Sequence, residues 1–325
     1  MQNIKLLILS LIVIFSLSSF RAPKNSPVAL NGKLQVIGTQ LSNKNGEAIV
    51  LRGASFGWHN LWPRFYNKKA VSWLATDWKC NIVRASMGVG LDDSYLENPE
   101  FAVKCVTNVV DGAIKSGIYV IIDFHSHKLH TAEASTFFTQ MARKYKNTPN
   151  VIYEIWNEPD YFTWEEVKKY SEKLIATIRA FDPNNVILIG SPHWDQDIHL
   201  VADEPILGQK NIMYTMHFYA GTHKKWLRDR TDAAMAKGIP VFVSECAGME
   251  ATGDGPIDEN EWKAFLEWME DRKMSWIVWS VSDKNESCSM LLPRASSYGF
   301  WTDDLMKTWG KISRKAIREG NLKNY

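Results

Sequence analysis

Val151-Ile-Tyr-Glu-Ile-Trp-Asn-Glu-Pro159 is a short apolar run that closes on Asn-Glu-Pro. Its apolar part, Val151–Trp156, reads as a strand. Glu158 therefore stands just past a strand. On either side of it similar runs recur at roughly thirty-residue intervals, the length of a βαβ unit. They are Ile49–Ala54, Asn81–Met87, Ile118–Phe124, Val151–Trp156, Val186–Gly190, Ile212–His217, Pro240–Glu245 and Ser275–Ser280. Helical patterns with polar faces lie between most of them, such as Trp164–Phe181 and Glu261–Arg272. Eight strands with intervening helices predict an α/β fold, a (β/α)8 TIM barrel. A doubly wound open sheet is the competing arrangement, but no Gly-rich phosphate loop follows the first strand. Ahead of the barrel, residues 28–50 alternate and carry Asn31-Gly32 and Asn45-Gly46, which predict a short N-terminal β-hairpin.

The 325 residues are 45% hydrophobic, enough for one such core. Lys+Arg 38 against Asp+Glu 36 gives a net charge of +2, which points to neither nucleic acid nor an anionic membrane as partner. The aromatic content (14 Trp, 11 Tyr, 14 Phe) mostly fills core, with a few rings free to act as flat platforms. At the N-terminus, Lys5 precedes the apolar run Leu6–Leu17, and polar residues follow over Ser18–Pro27. That run is shorter than the roughly 20 residues that cross a bilayer. Residues 1–22 are accordingly expected to be a cleaved export signal, with a permanent anchor as the alternative. The mature chain, 23–325, is expected to be one secreted barrel without a stable membrane span, extracellular, periplasmic or on the cell surface, and monomeric. Cys80, Cys105, Cys246 and Cys288 fit an oxidising compartment but allow three pairings or none. Their spacing is unlike zinc-ligand pairs.

In a TIM barrel the functional groups stand where strands end, at the C-terminal face. Those positions here are Arg84, Asp123 with His125, Asn157 with Glu158, His217 with Tyr219, Glu245, and Trp279. A charged residue ending an apolar run is costly unless it is hydrogen-bonded or faces a cleft. Two of them at one mouth, Glu158 and Glu245, suggest a carboxylate pair of the kind that glycoside hydrolysis needs. Arg84 is expected to bond Glu245 and hold it ionised, while crowding and burial raise Glu158. Glu154, inside the strand, reads as structural.

Asn157-Glu158-Pro159 after Ile-Tyr-Glu-Ile-Trp, with Asp123-Phe-His125-Ser-His127, closely resembles glycoside hydrolase family five. Asn81-Ile-Val-Arg84-Ala, His217-Phe-Tyr219 and the stretch from Trp279 to Ser287 resemble its bacterial-type endoglucanases, and the likeness runs from about Leu34 to about Trp301. The resemblance implies a metal- and cofactor-independent, retaining endo-β-1,4-glucanase acting on cellulose or related β-glucan. It implies Glu158 as acid/base, Glu245 as nucleophile, and Asn157 on the 2-hydroxyl of the sugar in subsite −1. It further implies Arg84 and Tyr219 against Glu245, His217 beside Glu158, His125 on a sugar hydroxyl, Trp279 stacked beneath it, and Lys284 as a further substrate contact. The chain departs from the family pattern in Cys246-Ala247 after the nucleophile, where Trp-Gly is usual. Trp58, His59 and Trp62 are the candidates for more distal subsites.

The absence of a Ser/Thr/Pro-rich linker within the sequence predicts no carbohydrate-binding module, which favours soluble or amorphous glucan. β-Mannanase, mixed-linkage glucanase and xyloglucanase are the alternatives on the same barrel. Two alternatives come from other classes. One is a metal-dependent amidohydrolase using His125, His127 and His130, which would leave both glutamates without a part. The other is a non-catalytic sugar-binding barrel, against which both glutamates stand.

Overall fold

A computed structural model describes residues 23–323, so the expected export signal lies outside the described residues. Ten strands run in the order β1 (Gln35–Ile37), β2 (Gln40–Ser42), β3 (Arg52–Phe56), β4 (Ile82–Gly88), β5 (Tyr119–His125), β6 (Val151–Glu154), β7 (Ile187–Ile189), β8 (Ile212–Tyr219), β9 (Val241–Ala247) and β10 (Trp276–Val281). Strands β3 to β10 are parallel and close into a barrel, β10 pairing with both β9 and β3. The helices are α1 (Pro27–Asn31), α2 (Lys68–Thr76), α3 (Pro99–Ser116), α4 (Thr131–Tyr145), α5 (Trp164–Arg179), α6 (Pro192–Asp195), α7 (Ile198–Asp203), α8 (Lys225–Ala236), α9 (Glu259–Asp271) and α10 (Thr308–Leu322). The eight expected strands and the two expected helices are all present, the first strand three residues later than its apolar run. Helix starts follow local chemistry, as in α5, where Thr163 and Glu166 form a capping box.

The N-terminal hairpin exists but turns elsewhere. β1 and β2 pair antiparallel around Gly38. Asn31-Gly32 instead ends the single turn of α1, with Gly32 at φ 66°. Asn45-Gly46 makes a second turn, leading to the bridge between Ser42 and Ala48.

The barrel interior is layered, and the layering places the site. Side chains two apart on a strand share a face. The lower layer, Ile82, Ile121, Ile152, Leu188, Met213, Phe242 and Ile277, is apolar and packs on Leu34, Leu41 and Leu51 beneath it. Two residues further along, the same strands present Arg84, Asp123, Glu154, Thr215, Ser244 and Trp279, all buried. The interior thus changes from hydrocarbon to ion pairs within one step toward the C-terminal mouth.

Candidate active site

Arg84 is the hub of the polar layer and is fully buried. Its Nε donates to Glu154 Oε2 (2.6 Å), its Nη1 to Glu245 Oε2 (2.9 Å) and its Nη2 to Asn157 Oδ1 (2.6 Å). Asp123 Oδ2 lies 3.0 Å from Nη2. One guanidinium therefore faces three carboxylates and the amide next to Glu158, a fork-shaped donor set that lysine lacks. Glu154, read along the chain as structural, shares this guanidinium with Glu245 and so belongs to the frame of the site.

Glu245 should point away from the cleft by strand parity, because Phe242 and Ser244 already face inward. A bulge corrects this. Thr215 pairs with Phe242, but His217 pairs with Glu245, so β9 uses three residues where β8 uses two. The extra residue turns Glu245 to the interior, where Tyr219 donates its hydroxyl to Glu245 Oε1 (2.7 Å). β10 has a similar irregularity between Val278 and Val281, around Trp279.

Glu158 is held from the other side. His217 Nδ1 lies 2.8 Å from Glu158 Oε1, and its Nε2 meets Ser244 Oγ at 2.9 Å. His127 Nδ1 stands 3.4 Å from Glu158 Oε2. One oxygen each of Glu158 and Glu245 and one nitrogen of His217 lie within 4.8 Å of one another. Among the described residues this is the group with the spacing of a cation site. Its donors are already bonded to Arg84, Tyr219 and one another, so an ion there would compete with every one of those bonds. His125 and His127 are not part of it.

The protonation pattern differs from the sequence-based expectation. Burial and the charge of Glu158 push Glu245 up, against His217, Arg84 and Tyr219. Burial also raises Glu158, but the hydrogen bond and charge of His217, with smaller pulls from His127 and Arg84, outweigh it and the net direction is down. His217 explains the reversal. Burial disfavours its charge, yet Asp195, Glu154 and Glu158 around it favour the imidazolium more strongly. The proton expected on Glu158 thus resides in the His217–Glu158 pair, and such a pair titrates as a unit. Burial pushes Asp195 up to about 8, against pulls from His217, Thr215 and Ser191.

His125 is kept neutral by burial and the nearby Arg84 charge. Its Nδ1 is 2.7 Å from Asp123 Oδ2, and its ring lies parallel to Trp279 at 5.1 Å. Trp279 is only 7% exposed, so the ring that stacks on His125 is also packed into the core. Asn157 Nδ2 is buried without a partner in the protein, a donor in want of an acceptor. Trp58 sets its edge on His125 (4.8 Å) and stacks near His127 (6.0 Å), which places it beside the two histidines that follow β5. Gly88 permits that approach, since a Cβ there would lie 2.9 Å from the Trp58 ring. Trp62 is half-buried and packs against Gly57.

Two candidates stand elsewhere. His59 is fully buried between Tyr66 and Phe101 and accepts the Gly88 N–H at Nδ1 (2.9 Å). Burial lowers it to about 4, so it is a neutral packing residue, not a subsite residue. The sequence does not show this, because a loop residue in an aromatic run carries no mark of which way it faces. Lys284 is exposed and pairs with Glu286 on the loop after β10. The sequence reading missed Asp195, Ser244 and the role of Glu154. A carboxylate in Gly190-Ser-Pro-His-Trp-Asp195, just past β7, was the available signal. All four cysteines are free and buried.

A closed parallel barrel that gathers two glutamates at its C-terminal mouth on an arginine–tyrosine–histidine frame defines the barrel glycoside hydrolases. The comparisons with known proteins agree. Residues 42–285 match the model of the cellulase family, glycosyl hydrolase family 5. Endoglucanase 5 of Pectobacterium carotovorum subsp. carotovorum is 39% identical over 309 residues, 93% of this chain and 61% of that protein. Endoglucanase N of Pectobacterium atrosepticum is also 39% identical, over 93% of this chain and 69% of its own. The chain thus spans about two thirds of the length of these relatives. A structure from Cytophaga hutchinsonii matches at 42% identity with a TM-score of 0.90, covering 92% of this chain and 98% of its own. The catalytic domain of Thermobifida fusca endoglucanase Cel5A matches at 32% identity and TM-score 0.85, covering 90% and 99%, and a variant of it has been solved with cellotetraose. The chain belongs to glycosyl hydrolase family 5.

Proposed function

We propose that this protein is a retaining endo-β-1,4-glucanase that cleaves internal bonds of cellulose or a related β-glucan by double displacement. The observation that carries the reading is that one carboxylate oxygen of Glu158 and one of Glu245 lie within 4.8 Å of each other, close enough for the shorter of two separations. Retention uses carboxyl groups about 5–5.5 Å apart, whereas inversion needs about 6.5–9.5 Å to admit a water.

In the first step Glu245 attacks the anomeric carbon as the bond to the leaving oxygen breaks. The proton held by the His217–Glu158 pair passes through Glu158 to that oxygen. In the second step Glu158 takes a proton from water, the hydroxide attacks the same carbon, and the bond to Glu245 breaks. Tyr219 and Arg84 hold Glu245 on both oxygens, which fixes its line of attack. The unpartnered Asn157 Nδ2 suits a sugar 2-hydroxyl, His125 Nε2 a further hydroxyl, and Trp279 and Trp58 the pyranose faces. The names of the Pectobacterium relatives and the cellotetraose held by the Thermobifida domain support β-1,4-glucan as substrate. The apolar run Leu6–Leu17 supports export.

The test pairs product analysis with leaving-group dependence. NMR of the first product on cello-oligosaccharide should show the β-anomer, with carboxymethylcellulose cut faster than xyloglucan or mannan. Glu245→Ala should abolish turnover on every substrate. Glu158→Ala should lose natural substrates while sparing the first step on a dinitrophenyl cellobioside. An α-anomeric product would overturn the mechanism, and equal losses on both substrate types would overturn the assignment of roles.

A further inference from the structure

Past β7 the chain makes a turn that L-residues rarely adopt in succession. His193, Trp194 and Asp195 have φ of 52°, 55° and 61°. Such backbone persists only where its surroundings over-determine it. Here His193 N–H donates to Asp160 O (3.0 Å) and Trp194 N–H to Pro159 O (2.9 Å), tying the turn to the loop that carries Glu158. Asp195 closes it from inside, its Oδ1 accepting the Ser191 N–H at 2.6 Å.

The other oxygen of Asp195 faces the site. The residue is fully buried, and its Oδ2 accepts the Thr215 hydroxyl (2.6 Å) and lies 3.3 Å from His217 Nε2. Buried carboxylates need a partner of opposite charge. Other acids also face His217: Glu154 at 3.8 Å from β6, Glu158 beyond β6, and Glu245 on β9. Glu154 and Glu245 already answer to Arg84. Among the described residues Asp195 makes no ion pair with an arginine or lysine, and His217 is the cation-forming group against it. A continuous chain therefore runs Asp195–His217–Glu158.

We propose that Asp195 is a positioning residue for the acid/base: through His217 it keeps a proton on the His217–Glu158 pair at alkaline pH and fixes the face that the imidazole turns to Glu158. This rests on the reading of Glu158 as acid/base. A negative charge beside the pair raises the pair's proton affinity, whichever member carries the proton. Asp195 ionises toward the alkaline side, so its charge is present where the pair would otherwise lose that proton.

The test is Asp195→Asn, which keeps the size and the acceptor for Ser191 but removes the charge. The pH profile of kcat/KM is measured on cellotetraose and on 2,4-dinitrophenyl β-cellobioside, whose leaving group needs no acid. On cellotetraose the alkaline limb should move to lower pH by about one unit, so that alkaline activity falls about tenfold further than on the aryl glycoside. The acid limb should keep its place. Thr215→Val, which takes a donor from Asp195 and hinders its ionisation, should move the same limb the same way by less. It also serves if Asp195→Asn does not fold. Equal loss on both substrates with an unmoved limb makes Asp195 merely structural, and a limb moving upward reverses the sign; either overturns the proposal. A wild-type protein that cleaves neither glycoside overturns the glycosidase reading instead.

Discussion

Replacing Arg84 with methionine removes one charge from a buried cluster while leaving a side chain of similar length. Three carboxylates, Asp123, Glu154 and Glu245, lose the guanidinium within 3.0 Å of each, and Asn157 loses its donor. Breaking a buried ion pair by removing one partner costs about 3–5 kcal/mol, because the charge left behind has no water. For a domain of this size that corresponds to a fall in Tm of roughly 10 °C. The pH dependence has a definite sign. Arg84 lowers all three carboxyls against burial, which raises them. Asp123 and Glu245 already stand above their ordinary values, so without Arg84 both rise further, and Glu154, which stands below, rises as well. A group raised in this way contributes stability below its unfolded pKa and loses it as pH rises through the folded value. The Tm gap between wild type and Arg84→Met should therefore widen between about pH 5 and pH 8 in calorimetric scans. A gap that stays constant over that range, or a loss below about 1 kcal/mol, would refute the view that Arg84 balances these charges.

Trp279→Ala should lower both stability, by about 3–5 kcal/mol, and kcat/KM, because the ring is packed and, on the proposed function, carries the sugar; a variant that melts early yet keeps full activity at low temperature removes the ring from the site. Prolonged dialysis against EDTA should leave hydrolysis unchanged, and inactivation reversed by zinc would bring a metal role to Glu158, His217 and Glu245. With four free, buried thiols, a reducing agent should not alter Tm, and a marked fall would reveal a disulfide.

Much of this protein was legible along its chain. Eight apolar runs at βαβ spacing specified the barrel, since strand burial on both faces leaves an unbroken hydrophobic signature. The positional rule of the barrel then marked Arg84, His125, Asn157, Glu158, His217, Tyr219, Glu245 and Trp279 as residues at strand ends. Their partners were a matter of register. Arg84 meets Asp123 and Glu154 because three strands, about 35 residues apart in sequence, present the same layer. No pattern within one strand records that. Glu245 faces inward through a bulge that appears only when β8 and β9 are paired. The protonation order also belongs to the assembled site. Sequence reasoning weighed Glu158 against Glu245, but His217, gathered in by Asp195 and Glu154, decides where the proton sits. His59 shows the same limit from the opposite side, its ring turned into the core by the packing of Tyr66 and Phe101. Sequence determined which residues reach the barrel mouth. Charge balance and orientation there depend on distances of 3–4 Å between residues remote in the chain, and those exist only once the barrel has closed.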